Sequence, residues 1–379
     1  MLRATRSKPN QTKHSKRNIN APAPGFATKN STSSGGEFGF IYKSNGICSQ
    51  VSRIQAKRLI VNGEPKSQGQ IKRDEKKREK LDALPSIVPN AECSMSREEC
   101  LGKMFNGTNG PPPSLKLFTN DQGGVNWADK EGEVLNLLLL PRDVALKANG
   151  KSNKAVVSAL NLLQREKAAK RSDARSGKST SGDKHVTFGK KPLRGGPGCG
   201  EDSLRSRNPQ AAATLNKHCR RMQHVVAKHL PSKFLRGAMS LHKHRRTIAT
   251  ITKGCKLFGA MSAAINYNAV CHTDMDFYYS VHNCYLEGHD PSTASAIICY
   301  FCFPTIGIAV GLRPGDVLIF NPQIPHCTCH GPIDADTRIH CSACYMKTAH
   351  IGGNDNRLTL SEEEKDWLWM DPQDIKHNI

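Results

Sequence analysis

The strongest constraint on this chain lies between residues 247 and 346, where short apolar runs follow one another at close spacing. Thr247–Lys253, Ala260–Ala269, Phe277–Asn283, Ala296–Phe303, Ile306–Leu312, Asp316–Phe320, His326–Cys329 and Thr337–Tyr345 each read as a strand. Gly254, Asp290-Pro291, Pro304, Pro314-Gly315 and Asn321-Pro322 supply the turns between them. Many short strands in series predict a mainly β fold closed as a sandwich or barrel. Pro291–Leu312 is the longest stretch without a charge. Its Pro304, Gly307 and Gly311 make it two strands and a turn rather than a membrane span.

Charge divides the chain more sharply than hydropathy does. The formal net charge is +22 over 379 residues, yet residues 257–379 hold 14 acids against 6 Lys and Arg. Residues 205–256 hold 13 Lys and Arg and no acid. A basic arm beside an acidic core suits a protein that grips a polyanion with one part and does chemistry with another. Residues 1–124 read as a basic, largely disordered N-terminal region, with a linker at 105–124 broken by Asn-Gly pairs and Pro111-Pro112-Pro113. The mixed-charge run 66–81 within it reads as solvated helix or coil. The first 36 residues carry seven Lys and Arg and no acid. That composition fits a nuclear-targeting or nucleic-acid-binding tail, and an organelle transit peptide shares it.

Residues 125–170 are expected to form a short helical segment, with helices at Trp127–Leu140 and Ser152–Lys170. Residues 171–202 read as a flexible basic linker. The folded domain spans 203–352, with its β core at about 247–346. Residues 353–379 form a tail whose Ser361-Glu362-Glu363-Glu364 opens a short helix.

Asn208-Pro209 is a helix start, an N-cap residue followed by Pro at the first position, and the helix is expected over 208–230 before Pro231. Lys217, Arg220, Arg221, His224 and Lys228 recur on one face at three- and four-residue intervals. A one-sign stripe repels itself, so an anionic partner is favoured, and phosphate backbone is the commonest. Nucleic acid, DNA or RNA, is the partner this implies; no membrane partner is expected.

The chemistry is concentrated in a few residues of the β core. His272-x-Asp274 places two ligand side chains at one strand end, where residues i and i+2 share a face. His326 follows the Gly315–Phe320 strand and can close a two-histidine, one-carboxylate set; His330 and His340 are weaker candidates. Such a set leaves three coordination positions open, as a non-haem Fe(II) oxygenase needs. Arg338, on the next strand, can clamp a carboxylate with two parallel hydrogen bonds. Asn266, Asn268, Tyr278 and Tyr279 flank the His-x-Asp strand and are candidate pocket residues. The pairs Cys299/Cys302, Cys327/Cys329 and Cys341/Cys344 read as small buried core residues, with structural zinc as the competing account. With 14 cysteines and no apolar leader, free thiols in a reducing compartment are expected.

Taken in order, these motifs resemble the 2-oxoglutarate- and iron-dependent dioxygenases. Phe303–Phe320 followed by His326 is similar to the branch containing the ten-eleven-translocation and J-binding proteins, which oxidise 5-methylpyrimidines in nucleic acid. The resemblance covers residues 255–346. It implies a double-stranded β-helix core with Fe(II) on His272, Asp274 and His326. It further implies 2-oxoglutarate with its distal carboxylate on Arg338, O₂ as second cosubstrate, and a flipped-out base as substrate. A protein or small-molecule hydroxylase of the same superfamily is the nearest alternative. A non-catalytic β-helix module that binds nucleic acid is the third.

Overall fold

The computed structural model describes residues 68–103, most of 114–166, 186–192, 199–200, 204–231 and most of 250–347, with His350. Fourteen strands are described: β1 Lys116–Phe118, β2 Val125–Ala128, β3 Leu135–Leu139, β4 Val186–Gly189, β5 Lys191–Pro192, β6 Cys199–Gly200, β7 Ala260–Ile265, β8 Ala269–His272, β9 Ser280–Leu286, β10 Cys299–Phe303, β11 Ile308–Leu312, β12 Val317–Phe320, β13 His326–His330 and β14 Ile339–Tyr345.

The last eight strands set the architecture. β7, β9, β12 and β14 lie in one sheet in the order β12-β9-β14-β7; β8, β10, β11 and β13 lie in the other in the order β11-β10-β13-β8. All six pairings among these eight are antiparallel. A chain that crosses between two facing sheets in this order is a double-stranded β-helix. The first sheet is widened to seven strands by β2, β3 and β4, and the second to five by β1, which pairs parallel to β11.

Strand parity sorts the core into layers. Cys284, Ile339 and Cys341 face inward and pack with Phe301, Phe303, Val310 and Phe320 between the sheets. Val281, Tyr285 and Cys344 face outward and meet a helical layer carrying Leu160, Leu163, Leu215 and Met222. That layer contains the helices Asn153–Glu166 and Pro209–His229. The latter begins as expected, with Asn208 accepting a hydrogen bond from the Ala211 amide.

Several expectations are corrected. Trp127–Leu140 is not a helix: its apolar run is β3, fully buried and paired to β12 through Leu137–Leu139. Burial on both faces makes a strand read as a continuous apolar stretch, which periodicity cannot separate from a helix face. The linker at 105–124 contains β1, the linker at 171–202 contains β4 against β7, and Gln68–Asp82 is an ordered helix inside the N-terminal region. Its Lys77 donates to the Ala227 and Leu230 carbonyls at the end of the basic helix. Ile251–Lys253 is turn rather than strand. Residues 1–67 and 353–379, with the expected C-terminal helix, lie outside the described residues. No helix among the described residues is long and apolar enough to cross a membrane.

Candidate metal centre

β13 pairs antiparallel with β8 so that His326 stands directly opposite His272. Cross-strand register therefore does what sequence distance cannot: it brings together imidazoles 54 residues apart in the chain, with ring centroids 4.6 Å apart. Asp274 follows in the loop after β8, its amide bonded to the Pro322 carbonyl at 2.9 Å. That bond ties the β8–β9 loop to the segment entering β13. One Asp274 carboxylate oxygen lies 3.7 Å from Nε2 of both rings.

Backbone carbonyls set the ring orientation. Nδ1 of His272 lies 2.7 Å from the Val270 oxygen and Nδ1 of His326 lies 2.8 Å from the Ile324 oxygen. A carbonyl can only accept, so each Nδ1 carries the proton and each Nε2 presents its lone pair toward Asp274. Burial lowers the His326 pKa, which favours the neutral ring a metal requires. Burial pushes the Asp274 carboxyl up, but the two imidazoles beside it outweigh burial and hold the group well below the usual carboxylate range. Phe301 stacks on His326 at 5.3 Å and Phe320 meets it edge-on at 5.1 Å, closing the inner side of the site. The donor set fits a divalent metal: two imidazoles and one carboxylate whose ligand atoms lie within 4.8 Å of one another, each ring oriented by a backbone carbonyl.

A cavity opens beside this triad between the two sheets. Ser262, Tyr267, His282 and Lys347 are polar residues on its wall, none of them among the expected site residues. Strand parity could have found His282, which shares the inward face of β9 with Ser280 and Cys284. Asp276 also lines the cavity and accepts from Ser280 Oγ at 3.0 Å. Burial and the nearby Asp274 charge push its pKa up to about 8.

The remaining expected residues are placed elsewhere. Arg338 pairs with Glu287 at 3.3 Å, is half exposed, and does not line the cavity. It precedes β14 on the parity of His340, which bonds the same Glu287 on the outer face. His330 bonds Asn268 and so is not a ligand. Asn266 and Asn268 bond backbone atoms near Thr337, Ile339 and His330, which is structural work at the loop between β7 and β8. Tyr279 is buried in the outer core, and Tyr278 lies outside the described residues. On the basic helix, Lys217, Arg220, His224 and Lys228 are exposed on one side, whereas Arg221 is half-buried and donates to the Asn149 carbonyl.

The fold and the triad together define a double-stranded β-helix protein with a two-histidine, one-carboxylate site. No family model matches the sequence, and no curated protein does. Among solved structures the chain is similar to NgTET1 in complex with 5mC DNA, at 11% identity and a TM-score of 0.43, covering 64% of this chain and 85% of that one. It is similar to a Pseudomonas putida prolyl-4-hydroxylase at 10% identity and a TM-score of 0.30, covering 56% and 92%. A 2OG-Fe(II) oxygenase family oxidoreductase from Burkholderia pseudomallei is similar at 14% identity and a TM-score of 0.31, covering 58% and 87%.

Proposed function

We propose that this protein is an Fe(II)- and 2-oxoglutarate-dependent oxygenase that hydroxylates a C–H bond of a modified base in nucleic acid. The observation that carries the reading is the His272–Asp274–His326 cluster, whose ligand atoms all lie within 4.8 Å of one another at the edge of a cavity. When bound, Fe(II) with 2-oxoglutarate and O₂ supplies the oxidising chemistry. The chain's own residues bind and orient. His272, Asp274 and His326 would hold Fe(II), and three protein ligands would leave room for cosubstrate and O₂. The Val270 and Ile324 carbonyls fix each imidazole with Nε2 free to bind the metal, and Phe301 and Phe320 exclude water from the His326 side.

Lys347 takes the role of carboxylate partner in this reading, because it is the Lys or Arg that lines the cavity among the described residues. Arg338, held by Glu287 on the outer face, does not have that role. A charge-assisted bond of about 1.5–3 kcal/mol corresponds to roughly 10–150-fold in affinity. Lys347→Ala should therefore raise the KM for 2-oxoglutarate by that factor.

Nucleic acid as substrate is supported by the exposed one-sign stripe. Lys217, Arg220 and Lys228 are joined by Arg73, Lys76 and Lys80, which line one groove with Lys228. Three phosphate contacts give a slope of log K against log salt of about −2.7, or roughly 40-fold weaker binding from 50 to 200 mM salt. The K217Q/R220Q/K228Q variant should lose that increment of slope.

The test is Fe(II)-dependent decarboxylation of 2-oxoglutarate, with DNA and RNA oligonucleotides carrying 5-methylcytosine analysed for added oxygen. Decarboxylation that His272→Ala abolishes, with salt-sensitive binding and a hydroxylated base, supports the reading. Decarboxylation without nucleic-acid binding points to a protein or small-molecule substrate. Loss of neither activity in the variant removes the enzyme reading.

A further inference from the structure

We propose that His282, Cys299 and Cys341 form a second metal site, selective for a thiophilic ion such as Zn²⁺ and distinct from the His272–Asp274–His326 centre. The three come from three strands on two facing sheets. On β9 and β14, Cys284 stands opposite Cys341 and His282 opposite Ala343, so His282 and Cys341 are diagonal neighbours on the inward face. Cys299, at the start of β10, reaches them from the other sheet. One ligand atom from each lies within 4.8 Å of the other two. All three residues are buried: His282 is 5% exposed, Cys299 1% and Cys341 8%.

A second observation points to a ligand. Nε2 of His282 is buried with no hydrogen-bond partner among the described residues. Leaving such a nitrogen unsatisfied in the interior is unfavourable, and a bound cation would remove that cost. The chemistry of the donors selects the ion. Two sulfurs and one imidazole suit Zn²⁺, whereas two imidazoles and a carboxylate suit Fe(II). Tetrahedral zinc with Zn–S of about 2.3 Å and Zn–N of about 2.0 Å needs donor separations of roughly 3.5–3.8 Å. Side-chain rotation of about an ångström closes the observed set to that size.

The two groups share no residue. The Phe301 ring packs against both, its centroid 5.2 Å from the His282 ring and 5.3 Å from the His326 ring. His282 and Cys341 line the same cavity as the triad, so a fourth ligand would reach the ion from that side. Three protein ligands with an accessible fourth position is the pattern of a reactive rather than a closed structural zinc. Cys284 is not the fourth ligand, because its thiol bonds the Arg313 carbonyl at 3.3 Å. Nor does the site belong to the other thiol group, Cys100, Cys271, Cys302, Cys327 and Cys329, which packs in a separate cluster.

The full chain, stripped with chelator and kept under reductant, is titrated with Co²⁺ and followed by absorption. The proposal expects a thiolate-to-cobalt charge-transfer band that is lost in Cys299→Ser and in Cys341→Ser. The band should persist in His272→Ala and in Cys302→Ser, which makes the result independent of the iron reading. Zn²⁺ content should fall by one equivalent in the first two variants alone. Because a core cysteine variant can unfold, X-ray absorption of the Zn²⁺-loaded wild-type chain is the second measurement. Two sulfur scatterers per site at about 2.3 Å support the proposal. A shell of nitrogen and oxygen alone, a band lost in Cys302→Ser instead, or a Cys299–Cys341 disulfide in place of metal uptake overturns it.

Discussion

Arg142→Met tests whether the segment before residue 170 belongs to the same folded unit as the β7–β14 strands. Asp316, at the head of β12, is fully buried. One oxygen accepts from Arg142 at 2.7 Å and from Asn120 at 2.8 Å; the other accepts from the Arg313 amide at 2.8 Å. The same guanidinium donates to the Pro314, Pro291 and Ala294 carbonyls, so it pins the Pro314-Gly315-Asp316 turn to the loop before β10. Removing it strands a carboxylate in the interior, which costs about 3–5 kcal/mol. Against a total stability of about 5–15 kcal/mol, that is a large share. Urea unfolding followed by circular dichroism should show the midpoint falling by about 1–2.5 M for a slope near 2–3 kcal/mol/M. Adding Asp316→Asn should restore part of the loss, because the stranded charge is then gone. A single variant within about 1 kcal/mol of wild type, or strict additivity in the double variant, would refute the reasoning.

Acid should destabilise the fold through two buried histidines. Burial lowers His218 to about 4 and lowers His350 to about 4. His350 Nδ1 accepts from the Lys347 amide and its Nε2 donates to the Lys190 carbonyl, an arrangement that requires the neutral ring. A folded-state pKa below the unfolded 6.5 means the stability is full above pH 6.5 and declines as pH falls toward 4. At 1.36 kcal/mol per pH unit the loss is about 3 kcal/mol for each ring. Denaturant midpoints measured from pH 7.5 to 4 check this, and His218→Gln should flatten the slope. Gly307→Ala should cost about 2–4 kcal/mol in the same assay. Gly307 sits at φ 68°, and an added Cβ would lie 2.3 Å from the Asn90 carbonyl.

What the sequence revealed follows physical lines. Most of the β8–β14 strands and the Asn208 cap were legible because short apolar runs, the turn residues between them and a capping side chain are local signals. His272, Asp274 and His326 were legible as a set through the spacing of ligand residues about recognisable strands. Arg338 was misplaced because a single residue of register decides which face a strand residue takes. Its neighbour Ile339 faces the core, and Arg338 therefore faces away from it. β1 and β3 were missed because their partners, β11 and β12, lie about 180–190 residues downstream, and β2, which pairs with β3, was read with it as one helix. A strand completed by so distant a neighbour leaves no local pattern. Lys347 and His282 were missed because their significance comes from a cavity that exists only once both sheets are assembled.

The central claim is that His272, Asp274 and His326 bind one Fe(II) with room beside it for a chelating keto acid. The most direct measurement adds 2-oxoglutarate to the Fe(II)-loaded chain without oxygen and records the visible spectrum. A metal-to-ligand charge-transfer band that saturates at one equivalent of iron and vanishes in Asp274→Ala is the predicted result. A wild-type chain that shows no band, or a band of equal strength in Asp274→Ala, would contradict the account.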